Sequence, residues 1–113
     1  MKTSPGAKNH CVENVQKLDD RALKALKNDL SDWQILEHDQ VLEKLYKFAD
    51  FSKALEFVNQ IGSIAEKENH HPDIFLSWGR VSIKWSTHSA RGITQNDVIM
   101  AAKCDEIYEN HFS

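Results

Sequence analysis

Three of the six histidines, His70, His71 and His88, fall at the ends of runs that read as helix or strand, where rigid elements commonly present functional groups. An imidazole of unperturbed pKa about 6.5 donates and accepts protons near neutral pH, so converging histidines suit either acid–base catalysis or metal binding. Adjacent histidines on a helical turn project about 100° apart, unlike the i, i+4 pair of an HExxH zinc site. A loop at that point would reorient them, and a three-imidazole metal site with His88 as the third ligand stays open. Glu66 stands four residues before His70, the spacing that puts a carboxylate on the same helical face to orient that imidazole. Asp97 reads first as a carboxylate in the opening turn of a helix, set against the macrodipole. Trp33, Trp78 and Trp85 could stack on a planar heterocycle or serve as core. His38 and His111 read as surface or capping residues.

The elements that must hold these groups follow from periodicity. Leu23, Leu26 and Leu30 recur at helical spacing among charged residues, which predicts a short amphipathic helix beginning near Asp19. Phe51, Ala54, Leu55, Val58, Ile61 and Ala65 predict a long helix over 51–68, with Asp50 as N-cap. Pro72 disfavours helical backbone at His71, so this helix ends at or before the His-His pair and leaves both rings at a frayed end. Ile74 to Trp78 and Val81 to Thr87 read as a hairpin with Gly79 and Arg80 at the turn; Val81, Ile83, Trp85 and Thr87 share one face and His88 ends the opposite polar stripe. Thr94 and Asp97 resemble a capping box and Ile93 with Val98 a hydrophobic staple, which starts a last helix running to about Asn110. The segment from Trp33 to Phe48 fits either period, with a polar break from Glu37 to Gln40 where two strands would connect. Residues 1–16 carry no period and read as a flexible arm, leaving 17–113 as a single α+β domain.

Bulk properties narrow the function classes. A chain of 113 residues supports one core, and 41% hydrophobic with 27% charged residues is an ordinary globular balance. A net charge of -3 and a pI near 6.0 supply no positive field for a nucleic-acid backbone. Cys11 and Cys104 form no CxxC or zinc-finger spacing and read as free thiols of a reducing, cytoplasmic compartment. No run approaches the roughly 18 apolar residues of a membrane span. Lys44, Lys47, Lys53 and Lys67 alternate with acidic residues as a solvated face does. Walker, GxGxxG and GxSxG patterns are all missing.

Taken together, Glu66-Lys67-Glu68-Asn69-His70-His71-Pro72, then Trp78, His88 and Asp97, resemble the composite motif of the pterin-4a-carbinolamine dehydratases. The likeness runs from the Trp33 region through Phe48-Ala49-Asp50-Phe51 and Ser86-Thr87-His88 to the last helix and leaves out the N-terminal arm. It implies an α+β fold in the order α-β-β-α-β-β-α, a four-stranded antiparallel sheet with three helices on one face, and so resolves 33–48 as two strands. It also implies dehydration of 4a-hydroxytetrahydropterin to quinonoid dihydropterin, with no metal and no resident cofactor, in recycling the cofactor of aromatic amino acid hydroxylases.

By the same resemblance His70, His71 and His88 are the catalytic cluster, supported by Glu66 and Asp97. Asn69, Ser86 and Thr87 contact the pterin and Trp33 borders the pocket. Two positions depart from some relatives: Asn96 where Arg occurs, and Asn69 where Asp occurs. The resemblance further implies a homodimer or homotetramer and a phenylalanine hydroxylase as natural partner. Two other functions stay open, a protein-binding module that stabilises the dimer of a transcriptional regulator, and action on another pterin.

Overall fold

The structure is a computed structural model that describes residues 5–36, 38 and 40–112. Helix α1 spans Asp20–Asp29, strand β1 Gln34–Leu36, β2 Val41–Lys47, α2 Phe51–Glu68, β3 Asp73–Ser77, β4 Arg80–Trp85 and α3 Gln95–His111. The expected order α-β-β-α-β-β-α holds, and the four strands form one antiparallel sheet, β1-β2-β4-β3. The ambiguous segment is settled by pairing rather than by its own period: Leu42 faces Trp85, Lys44 faces Ile83 and Tyr46 faces Val81 across β2 and β4. Of the connection expected at 37–40, His38 takes a left-handed backbone, φ 58°; Glu37 and Asp39 lie outside the described residues, as do residues 1–4 of the arm.

Alternation along β4 places the core. Val81, Ile83, Trp85 and Thr87 turn inward and are buried, while Ser82 and Lys84 turn to the open face, where the Ser82 hydroxyl donates to Glu43. The helices cover the inner face alone, so a second core layer does not form on the other side. There Leu45 and Phe75 stand exposed, flanking Ser82 in register. Leu23 and Leu26 of the first helix and Leu30 at its C-cap are buried as expected, with Asp19 acting as N-cap just before the helix. On α2 the stripe differs from the sequence reading. Ala54, Phe57, Ile61 and Ala65 face the core, while Phe51 and Leu55 lie on the solvent flank, because the helix carries two adjacent apolar stripes and the sheet covers only one. Each large core side chain, Phe57 for example, contributes about 1.5–3 kcal/mol over leaving it exposed.

The β3–β4 turn sits one residue earlier than expected. Ser77 pairs with Arg80, so Trp78 and Gly79 form the turn and Trp78 projects outward, 68% exposed. Gly79 meets the Phe48 backbone: the Phe48 N–H donates to its carbonyl at 2.8 Å, and a Cβ there would stand 3.1 Å from the Phe48 oxygen. Among the described residues no helix is long and apolar enough to cross a membrane.

Candidate active site

The site begins where α2 ends. Asn69 takes the left-handed conformation, φ 54°, its N–H reaching the Glu66 carbonyl and the His70 N–H the Ala65 carbonyl at 3.1 Å. These bonds close a Schellman-type cap. The expected frayed end is therefore a locked turn, and the two rings leave it in different directions. His71 Nε2 lies 2.5 Å from Glu66 Oε2, whereas His70 Nε2 lies 2.6 Å from Asp97 Oδ1. Glu66 thus serves His71 and not His70, because the left-handed residue breaks the helical register on which the i, i+4 expectation rested.

Asp97 is the centre of the arrangement. It is fully buried, in the first turn of α3, and the expected capping box forms. Its Oδ2 accepts from the Thr94 N–H at 2.8 Å and from the Thr87 hydroxyl at 2.8 Å, while its Oδ1 faces His70. A carboxylate only accepts, so His70 Nε2 carries the proton between them and Nδ1 is left for other chemistry. With its proton committed to Asp97, the Thr87 hydroxyl accepts from Thr94 Oγ1 at 2.8 Å. The capping role read from the sequence is real, and the same side chain also fixes an imidazole 27 positions away. The His70 ring stacks on Trp85, centroids 5.4 Å apart and 23° between planes, so the strand face that builds the core also sets the ring's tilt.

His88 follows Thr87 directly and opens a short 3-10 turn, His88–Ala90, which the Arg91 N–H closes by donating to the His88 carbonyl. Thr87 and Gly92 bridge across that turn. Next to it lies a cavity of about 360 Å³, lined by Gln40, Val41, Asp73, Ser86, Thr87, His88, Arg91 and Gly92. Ser86, Thr87 and His88 therefore meet at one opening, with Thr87 linked through Asp97 to His70. His71 and Glu66 form a more exposed pair at the C-terminal end of α2. Asn69 is exposed and acts as the cap residue. Trp33 is elsewhere: it is buried, and its indole N–H donates to Asp105 at 3.1 Å.

Five of the eight cavity residues, Gln40, Val41, Asp73, Arg91 and Gly92, were not singled out as site residues in the sequence. Asp73 follows the His-His-Pro run directly, and Arg91 is a charged residue held at φ 58° beside His88, so both had a local signal. Gln40 arrives from the start of β2 and had none. Among the described residues no group of three His, Cys, Asp or Glu side chains is disposed to hold a metal ion. A second cavity of about 390 Å³, lined by Asp20, Leu23, Lys24, Lys27 and Ile35, contains no imidazole.

Known proteins are similar to the chain over most of its length. A protein of Microcystis aeruginosa provisionally named pterin-4-alpha-carbinolamine dehydratase is 49% identical over 86 residues, 74% of each chain. A protein of Syntrophotalea carbinolica with the same provisional name is 47% identical over 85 residues, 74% of this chain and 76% of that one. The crystal structure of a transcriptional coactivator/pterin dehydratase from Brucella melitensis superposes with a TM-score of 0.78 at 34% identity, covering 81% of this chain and 98% of the other. With the family model for pterin 4 alpha carbinolamine dehydratase matching residues 16–107, the chain belongs to that family of hydro-lyases.

Proposed function

We propose that the chain dehydrates a 4a-hydroxytetrahydropterin to the quinonoid dihydropterin by histidine acid–base catalysis. The observation that carries this reading is the continuous path His70–Asp97–Thr87, ending beside His88 at a cavity of about 360 Å³. That volume falls in the usual range of small-molecule sites, about 300–1,000 Å³. The elimination removes the proton on ring nitrogen 5, forms the C4a–N5 double bond and expels the 4a hydroxyl as water, so it needs one base and one acid. His70, backed by the Asp97 carboxylate, gives the imidazolium formed on proton uptake an adjacent counter-charge. His88 at the opening and His71 with Glu66 supply the remaining proton-transfer groups. A positioned acid or base contributes about 10² to 10⁴ in rate. Imidazoles supply both transfers, so activity is expected to survive chelation and no resident cofactor is assigned. Ser86, Thr87 and Asn69 are the proposed pterin contacts.

The test is ultraviolet stopped-flow decay of freshly generated 4a-hydroxytetrahydropterin, with chelated wild type set against His88→Ala. Acceleration by wild type that is lost in the variant supports the reading. Folded, chelated wild type no faster than buffer would sink it.

The substrate's instability calls for an enzyme that makes it close by, so a tetrahydropterin-dependent phenylalanine hydroxylase in the cytoplasm is the proposed source. Self-association as a dimer or tetramer is supported by exposed Phe51 and Leu55 on α2 and exposed Leu45 and Phe75 on the open sheet face. The same apolar surface, with the coactivator name of the Brucella melitensis relative, favours a second reading as a partner-binding module. Specific capture of a partner by a variant lacking all three histidines would separate that role from catalysis.

A further inference from the structure

The described part of the N-terminal arm makes a set of contacts that the catalytic reading leaves unused. Ala7 is buried, and its carbonyl accepts from Lys103 Nζ of α3 at 2.9 Å. His10 Nδ1 lies 2.7 Å from Glu68 Oε2, and the Cys11 N–H donates to Glu68 Oε1 at 2.8 Å. Val12 is gripped at both ends of its peptide by one side chain: its N–H donates to Asn96 Oδ1 at 3.0 Å, and Asn96 Nδ2 donates to its carbonyl at 2.7 Å. The Cys11 thiol points at the Asn96 carbonyl, 3.8 Å away.

The anchors sit at informative places. Glu68 is the last residue of α2, immediately before the Asn69 cap and His70, and Asn96 is the residue before Asp97. The strap therefore ties together the two helix ends whose separation the His70–Asp97 bond spans. Burial alone would raise the Glu68 carboxyl, but the His10 and Cys11 bonds and the His10 and Lys103 charges outweigh it and hold it below the usual carboxylate range. Burial, with help from the Glu68 and Asp97 charges, pushes the Cys11 thiol up to about 11.

We infer that residues 7–12 form a positioning strap for catalysis, with Glu68 and Asn96 as positioning residues that keep the end of α2 against the start of α3 and so hold His70 in register with Asp97. Neither residue touches the cavity. Their effect passes through the His70–Asp97 geometry, where a displacement of about 1 Å is enough to cost up to 10² in rate. The inference rests on the dehydratase reading for its kinetic consequence, but the ring geometry can be read without any turnover.

Asn96→Ala and Glu68→Gln, made separately in the full chain, test it from two different helices. Deuterium labelling of the Cys11 and Val12 amides, which donate to Glu68 and Asn96, reports strap release. The nuclear magnetic resonance signal of the His70 ring N–H bonded to Asp97 reports ring geometry. Both variants are expected to label about ten-fold faster or more, to broaden or lose the ring N–H signal, and to lower kcat about five-fold with KM within about two-fold. Faster labelling with wild-type ring signal and kcat would overturn the inference, as would unchanged labelling in both variants. If Asn96→Ala fails to fold, Glu68→Gln decides. Wild type inactive on the hydroxytetrahydropterin would remove the reaction while the ring signal still decides the strap.

Discussion

Helix α3 carries two carboxylates that reach across to the sheet, Asp97 in its first turn and Asp105 eight positions later, and they differ in what they hold. Asp105 takes the Lys44 ammonium at 2.8 Å, the Tyr46 hydroxyl at 2.5 Å and the Trp33 indole N–H at 3.1 Å. Asp97 takes an imidazole, a threonine hydroxyl and a backbone N–H. In the first set burial first, then the Cys104 and Asp105 charges and the bond to Asp105, drives the Tyr46 phenol well above its ordinary value. The second set contains an imidazole, the side-chain type that most often serves as acid and base, and its Thr87 member lines a cavity. A carboxylate of α3 thus becomes a tether or part of a reaction centre according to the partner that the sheet and the α2 cap present to it.

The sharpest way to break this contrast is to change both acids to amides. Asp97→Asn is expected to lower kcat by about 10² to 10³ by disturbing the proton and orientation of His70, measured by stopped flow. Asp105→Asn is expected to leave kcat within about two-fold while costing about 1–3 kcal/mol in urea unfolding, since it weakens a partly buried, charge-assisted network. Equal losses of activity in the two variants would end the distinction. Trp33→Phe should cost about 1–2 kcal/mol of stability through one lost hydrogen bond and lost packing. Its KM should match wild type, and a raised KM would return Trp33 to the pocket border expected from the resemblance.

Tyr46→Phe sharpens the contrast through pH. The folded-state phenol is raised above its ordinary value of 10.0, so its contribution to stability is complete below pH 10 and is lost as pH rises towards the folded value. Buried Cys104, also raised by burial, adds a loss of the same sign beginning near its ordinary 9.0. Wild type should therefore lose stability on titration from pH 9 upward, and Tyr46→Phe should lose less above pH 10. An identical alkaline slope would show that the phenol ionises as freely in the fold as outside it. The smallest effect is expected for Glu66→Gln, an exposed pairing with His71. Stability should stay within about 0.5 kcal/mol of wild type, and kcat should fall only a few-fold.

What was readable from sequence alone is local. The caps Asp50 and Thr94, the Leu23–Leu26–Leu30 stripe and the inward face Val81–Ile83–Trp85–Thr87 all follow from interactions within a few residues, or from a period that one element imposes on itself. The identities of the candidate site residues came from the resemblance to the dehydratase family, carried over position by position, because local interactions do not reveal which distant side chains converge. Tertiary structure decided who meets whom. The 33–48 segment became strands because β4 offered it a ladder, and α2 turned its Phe57 stripe inward because the sheet covers one flank only. Glu66 went to His71 and Asp97 to His70 because a single left-handed residue, Asn69, redirects the chain after α2. The strap over Glu68 and Asn96 had no sequence signal at all. Its hydrogen bonds join residues 57, 58 and 84 positions apart, and three of the four groups that the arm contributes to them are backbone groups that every sequence possesses.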